Sequence, residues 1–192
     1  MENPATCDQR GEPPGQVGIV DEARMPAATD AAIRALLCEC FPADVEVFRR
    51  TRHWHGCAPL FSVVLAEGDR VVGHVGVIVR TIRWGGARLV VAGIQNVAVH
   101  PSLRGHGCGA VLMTRAMAEA ADRGLQLGLL FCLPRLEKFY RELGWETVRE
   151  PITMADADGN VVAADRKSLC LVWKLAGSIP PPGPIDLQGR DW

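Results

Sequence analysis

The chain has 192 residues, 48% hydrophobic and 22% charged, with 21 Lys and Arg against 22 Asp and Glu for a formal net charge of −1. This is the profile of a globular domain with one substantial core. The near balance of charge gives no electrostatic basis for binding nucleic acid or an anionic membrane, and no apolar run reaches the length of a membrane span.

Residues 1–16, MENPATCDQRGEPPGQ, are polar and interrupted by proline and glycine. They are expected to form a disordered tail and lack the apolar core of a signal peptide. The seven cysteines are then expected to stay reduced in the cytoplasm. Residues 17–192 read as a single domain. Val17–Val20 suits a first strand. A helix capped by Thr29 or Asp30 runs through Cys40 with Ile33, Leu36 and Leu37 on its apolar face, and Phe41-Pro42-Ala43-Asp44 ends it. Three strands follow, Leu60–Ala66, Val71–Ile82 and Leu89–Val99, separated by turns at Glu67–Arg70 and Trp84–Ala87. The apolar start of the third suggests a central strand covered on both faces. A helix over Ala110–Arg123 stops at Gly124. Leu127–Phe131 is a short buried strand, and Pro134 opens a helix over Arg135–Leu143 that Gly144 stops. Trp145–Val148 and Leu169–Leu175 read as two last strands around a turn-rich loop, Asp156–Asn160. The tail, 176–192, carries Ile-Pro-Pro-Pro-Gly-Pro and is expected to be extended. Cys38 and Cys40 with His53 and His55 match no usual zinc spacing, so no metal is expected.

The chemistry concentrates in Val97-Ala98-Val99-His100-Pro101-Ser102-Leu103-Arg104-Gly105-His106-Gly107-Cys108-Gly109. A glycine-rich loop that opens a helix presents backbone N–H groups and the positive end of the helix dipole, which together bind phosphate or pyrophosphate. Glycine permits close approach of the anion. The Gly-Lys-Ser/Thr ending of a Walker loop is missing. A dinucleotide fold would place the glycines directly after the first strand of a parallel unit, whereas here several antiparallel strands come first.

The segment resembles the GCN5-related N-acetyltransferase superfamily, whose signature Gln/Arg-x-x-Gly-x-Gly/Ala matches Arg104–Gly109 at each specified position. Phe139-Tyr140-Arg141-Glu142-Leu143-Gly144-Trp145 resembles a second motif of that superfamily, and the likeness covers about Val17 to Lys174. It implies an α+β fold, a mixed and mostly antiparallel central sheet flanked by helices, with acetyl-CoA as cofactor. By the same resemblance, Arg104, Gly105, His106, Gly107, Cys108 and Gly109 hold the pyrophosphate, and Val97, Ala98 and Val99 pair with the pantetheine arm. That strand edge would also supply an N–H to the thioester carbonyl, where an oxyanion develops. Tyr140, the one tyrosine, stands where the superfamily places its general acid; a phenol with pKa near 10 can give a proton to a departing thiolate. The general base stays open among Asp44, Asp165, Asp186, Asp191 and the α-carboxylate of Trp192, or no dedicated base exists.

Within the superfamily the chain looks most like the aminoglycoside 2′-N-acetyltransferases. Phe41-Pro42-Ala43-Asp44 resembles that family's Phe-Ala-Gly-Asp, Ile78–Gly86 resembles its strand and turn before the cofactor strand, and the chain ends on Asp191-Trp192 as that family ends on an acid and a tryptophan. The resemblance implies an acceptor site with Asp44, Gln95, Asn96, Asp165, Asp191 and Trp192, and a tail that folds towards it. Gln95 stands where that family has a glutamate, and Arg190 lies beside the tail acids; both suggest an acceptor with fewer amines, such as kasugamycin. The implied partner is a small aminoglycoside, with transfer conferring antibiotic resistance, and a homodimer is among the states such folds adopt. Three other readings are a nodulation-type N-acyltransferase moving a long acyl chain onto an aminosugar, a protein or peptide amine acetyltransferase, and a non-catalytic acyl-CoA sensor.

Overall fold

The structure is a computed structural model that describes residues 14–164, 167–175 and 178–192. Its elements in chain order are β1 (Gln16–Asp21), α1 (Ala27–Cys40), α2 (Val45–Phe48), β2 (Phe61–Glu67), β3 (Arg70–Trp84), β4 (Ala87–Val99), α3 (Cys108–Asp122), β5 (Leu127–Cys132), α4 (Glu137–Glu142), β6 (Glu146–Thr147), β7 (Ile152–Ala155), β8 (Val161–Ala163), β9 (Leu169–Lys174) and β10 (Ile185–Asp186). Short 3₁₀ turns lie at Glu22–Arg24, Pro42–Asp44, Pro101–Leu103 and Pro134–Leu136. No helix among the described residues is long and apolar enough to cross a membrane. The chain falls into two compact units: one holds the residues up to Val77 with Asn96–Ala116, the other Ile78–Gln95 with the residues from Met117 on. Strands β3 and β4 each run from one unit into the other.

In the first unit β1 pairs antiparallel with β2 from Gln16↔Ala66 to Asp21↔Phe61, and β2 pairs antiparallel with β3 from Phe61↔Val77 to Glu67↔Arg70. The end of β4 returns to β3, where His100 N–H donates to Val72 O at 2.9 Å. Helix α1 covers this sheet with Ile33, Leu36 and Leu37, the i, i+3, i+4 stripe expected from the sequence, against Phe48, Val64, Val71 and Ala98. Each such side chain contributes about 1.5–3 kcal/mol through burial. The helix starts earlier than expected. Pro26, extended at φ −67° and ψ 141°, precedes Ala27, and its fixed φ sets the start. Asp30 is therefore a first-turn residue rather than a cap. Phe41, at φ −127° and ψ 69°, ends α1 as expected, and the separate Pro42–Asp44 turn then leads into α2. Gln16, assigned to the tail by composition, opens β1.

The second unit carries its sheet in the order β6-β9-β5-β4-β3-β10-β7-β8. Strand β4 runs parallel to β5 over Val91–Ile94 against Leu127–Leu130, β5 is antiparallel to β9, and β10 lies antiparallel to β3 and parallel to β7. The covered part of β4 is Val91–Gln95, whereas Arg88 and Val90 near its start are exposed, so burial begins later along the strand than the apolar run suggests. Trp145 is fully buried against Gly128, where an added Cβ would lie 3.0 Å from its ring and 2.5 Å from Met117 Cε. The expected helix from Arg135 is split into a 3₁₀ turn at Pro134–Leu136 and a shorter α4. Strands β7, β8 and β10 are too short to have a readable period; tertiary pairing alone selects them. The Asp156–Asn160 loop is the β7–β8 turn, closed by the Asp156 carboxylate accepting from the N–H groups of Asp158 (2.9 Å) and Asn160 (2.8 Å).

Candidate active site

In the first unit, the last residues of β4 lead into the glycine loop. Asn96 sits at φ +52°, unusual for a residue with a side chain, and breaks the regular alternation just ahead of Val97-Ala98-Val99. Leu103 and Cys108 are buried on either side of the loop, while Arg104, Gly105, His106 and Gly107 between them are exposed. Gly105 (φ +79°) and Gly107 (φ +78°) are left-handed, and no atom of the described residues lies within 4 Å of where a Cβ would stand on either. The loop is thus open where side chains at these two positions would stand. Within α3, Val111 N–H bonds Gly107 O at 3.1 Å; the amides of the turn before it point out of the helix end, as they do in any α-helix. The Arg104 guanidinium donates from Nε to Val99 O at 3.1 Å, and the Cys40 thiol reaches the same carbonyl at 3.4 Å. Burial raises the Cys40 pKa against the opposing effect of Arg104, so it remains a neutral donor.

Behind the strand lies a buried polar network for which the sequence has no motif. Arg52, 2% exposed, donates from Nε to Asp30 Oδ1 at 2.8 Å and from Nη2 to Glu22 Oε2, and its Nη1 lies 3.5 Å from Ser62 Oγ. Ser62 Oγ is 3.1 Å from His74 Nε2, and His74 Nδ1 is 3.0 Å from Asn96 O. Burial pushes the Asp30 carboxyl up, but hydrogen bonds from Arg34 and Arg52 outweigh it and hold it below the usual value. His74 is fully buried, and this lowers its pKa to about 4, aided by the charge of Arg52 and opposed by its bond to Asn96 O. An imidazole buried in neutral form contributes stability that is complete above its unfolded pKa of 6.5. That contribution drains away as pH falls towards the folded value, because the unfolded chain then binds the extra proton. Urea denaturation is therefore expected to show a loss of about 2 kcal/mol between pH 7.5 and pH 5 that a folded His74→Gln variant lacks. Equal slopes in the two proteins would exclude His74 as the source.

In the second unit, Tyr140 lies on α4, 6% exposed. Its ring meets Phe139 edge-on at 4.9 Å and Trp145 at 6.2 Å. Burial first, then the neighbouring Cys132, pushes the phenol well above its ordinary pKa. The Cys132 thiol is itself pushed up to about 11, by burial and then by Glu137. Both groups are neutral proton donors at physiological pH.

The tail is a built part of the same unit. Pro184 O accepts from Gly85 N–H at 2.9 Å, β10 inserts between β3 and β7, and Gly189 O accepts from Ala155 N–H at 2.8 Å. Arg80 donates to Arg190 O, and its guanidinium carbon lies 5.0 Å from the centre of the Trp192 ring. The Trp192 ring, 5% exposed, packs edge-on against Phe131 at 5.6 Å. It also covers Gly93, where an added Cβ would lie 2.5 Å from Trp192 Cε2 and 2.6 Å from Ile78 Cγ1.

The residues named from the sequence are therefore distributed as follows. Asn96, Val97–Val99, the Arg104–Gly109 loop and half-buried Asp44 belong to the first unit; Gln95 (buried), Tyr140, half-buried Asp191 and Trp192 belong to the second. Asp165 lies outside the described residues. Cys38 and Cys40 donate to backbone carbonyls, and His53 contacts Glu22; no group of three potential metal ligands occurs among the described residues. Sequence reasoning missed Arg52, Ser62 and His74. The only available signal was chemical: Ser62 and His74 are polar residues inside otherwise apolar strands.

The profile of the acetyltransferase (GNAT) domain matches residues 25–148. Among curated relatives, nodulation protein A of Bradyrhizobium elkanii is 32% identical over 101 residues, 52% of this chain and 47% of that protein. The chain spans between 19% and 47% of the length of the curated relatives it matches. Escherichia coli YhbS, a GNAT family N-acetyltransferase solved in complex with CoA, superposes with a TM-score of 0.63 at 18% identity over 92% of both chains. An aminoglycoside 6′-N-acetyltransferase complexed with coenzyme A gives 0.57 at 18% identity, over 86% of this chain and 99% of the other. At such identities the likeness concerns the fold, and that fold is the mixed, mostly antiparallel sheet flanked by helices expected from the sequence.

Proposed function

Because the chain belongs to the acetyltransferase (GNAT) domain family, we propose that it transfers an acetyl group from acetyl-CoA to a primary amine of a small aminosugar-containing acceptor. The observation that carries this reading is the loop at the head of α3. It has two left-handed glycines with open Cβ space, and its exposed backbone is pinned by buried Leu103 and Cys108. That is a cradle for a pyrophosphate group, which acetyl-CoA supplies. Arg104, Gly105, His106, Gly107, Cys108 and Gly109 would hold it, with Val97, Ala98 and Val99 along the pantetheine arm. In the reaction the amine nitrogen bonds the thioester carbonyl carbon, the C–S bond breaks, and the sulfur takes a proton from Tyr140. The amine's own proton leaves to a carboxylate, with Asp44, Asp165, Asp186 and Asp191 as candidates, or to solvent.

The acceptor we favour is an aminoglycoside modified at a 2′-amine, with kasugamycin the specific choice, which would make the protein a resistance enzyme. Asp44 and Asp191 are partly accessible to ammonium groups, while Arg80 and Arg190 add positive charge beside the tail. That balance suits an acceptor with few amines. A reducing cytoplasmic setting suits the six described cysteines, all free thiols. A second reading, a long acyl chain delivered to an aminosugar, is favoured by the likeness to nodulation protein A.

Thiol release with acetyl-CoA or palmitoyl-CoA against kasugamycin, gentamicin, a lysine peptide and no acceptor separates these readings. Release with acetyl-CoA and kasugamycin, well above gentamicin, is expected. Turnover only with palmitoyl-CoA would favour the second reading. Turnover only on the peptide would move the acceptor to protein amines, and CoA binding with no turnover on any amine would leave a sensor.

A further inference from the structure

The buried network of the first unit has a direction. Arginine carries only donors, so the contact of Arg52 Nη1 with Ser62 Oγ (3.5 Å) uses the serine oxygen as acceptor. The Ser62 hydroxyl proton is then available to His74 Nε2 at 3.1 Å. With Nε2 accepting, the neutral imidazole carries its proton on Nδ1, which donates to Asn96 O at 3.0 Å. The relay thus starts at a cation, runs through two side chains with no solvent exposure, and ends on a backbone carbonyl. The same peptide is held a second way, since Asn96 Nδ2 donates to Arg52 O at 2.9 Å.

Asn96 O and Val97 N–H belong to one peptide unit. No peptide bond among the described residues is cis, so the two groups point in opposite directions. A donor pressed onto the carbonyl withdraws electron density from the amide nitrogen and makes its N–H a stronger donor. Two features place Val97 N–H on the strand edge away from β3. His100 N–H points to Val72 O on β3, and alternation along a strand then turns the Val99 and Val97 amides the other way. The pairing of β4 with β5 also ends at Ile94.

We propose that Arg52, Ser62 and His74 are positioning residues for acyl transfer: their relay orients and polarises the Asn96–Val97 peptide so that Val97 N–H donates to the thioester carbonyl of the acyl donor. The relay explains why a charged loop residue is buried against a serine and a histidine of apolar strands, and why Asn96 tolerates a left-handed conformation. The inference rests on the acyltransferase reading above, and its test separates the two.

The variants are Ser62→Ala, His74→Leu and His74→Asn; the Asn amide can place an N–H near the position of imidazole Nδ1. Expected kcat losses are about tenfold for Ser62→Ala and about 10²-fold for His74→Leu, with partial recovery in His74→Asn. CoA, which has no thioester carbonyl, should bind all three within about twofold of wild type by calorimetry, because the loop that holds it is untouched. A second readout does not need turnover. In ¹⁵N-labelled protein the Val97 amide proton should move downfield with acetyl-CoA relative to CoA, and Ser62→Ala should at least halve that difference. Unchanged kcat in folded variants, or kcat losses that merely track lost CoA affinity, would overturn the relay. If wild type binds acetyl-CoA but acetylates no amine, the acyltransferase reading fails instead. The relay is then judged on the amide shift: no acetyl-specific shift at Val97, or the same shift in Ser62→Ala, would overturn it.

Discussion

Tyr140→Phe is expected to lower kcat by about 10²–10⁴-fold, the range in which a positioned proton donor contributes, with little change in the KM for acetyl-CoA. The substitution removes one hydroxyl and leaves the ring, so the edge contacts to Phe139 and Trp145 persist and the melting temperature should hardly move. A loss of rate without a loss of stability would identify the phenol as the proton source for the departing thiolate. Burial and the adjacent Cys132 hold the phenol well above its ordinary pKa. The wild-type profile of kcat against pH should accordingly show no descending limb from Tyr140 up to pH 10. Cys132 is a nearby alternative, since its thiol, pushed up to about 11, is also protonated in that range. Full activity in Tyr140→Phe together with a collapse in Cys132→Ser would transfer the role to the thiol.

Trp192→Ala is expected to cost about 3–5 kcal/mol, the usual range for truncating a buried tryptophan. The ring fills the space over Gly93 between Ile78, Phe131 and Arg80. Because the segment carrying Trp192 is held by a strand of only two residues, β10, part of that cost should appear as local release. Limited proteolysis should then cut near the Pro180–Gly183 stretch before the rest of the unit unfolds. Trp192→Phe provides the contrast. The indole Nε1 is buried with no hydrogen-bond partner among the described residues, so replacing it with an apolar ring removes an unsatisfied donor and offsets lost contact area. A cost of about 1.5 kcal/mol or less is expected. Gly93→Ala should mimic the alanine variant from the other side, since its methyl group would overlap both Trp192 and Ile78. An unchanged urea midpoint in Trp192→Ala would mean that the tail is not part of the cooperative unit.

The sequence by itself determined the features that depend on short-range chemistry. The i, i+3, i+4 stripe of α1, the β-branched runs of β2 to β4 and the glycine loop ahead of α3 are each encoded within a few neighbouring residues, and each appears where the pattern puts it. The short helix that carries Tyr140 was legible because its residues and the Gly144 that follows it are neighbours in sequence. Tertiary structure decided the rest. Strands β7, β8 and β10 have two to four residues each, too few for periodicity, and exist only because partners supply their hydrogen bonds. Ser62 and His74 look like polar interruptions in strands, and Arg52 like an ordinary charged loop residue. They become one relay because β2, β3 and the chain before β2 bring them together at Asn96. The burial of Trp192 likewise depends on Gly93, 99 positions earlier, having no side chain. Local patterning sets what an element is. Which distant groups then desolvate one another is a property of the packed chain, and those contacts place the charges, the protons and the tail of this protein.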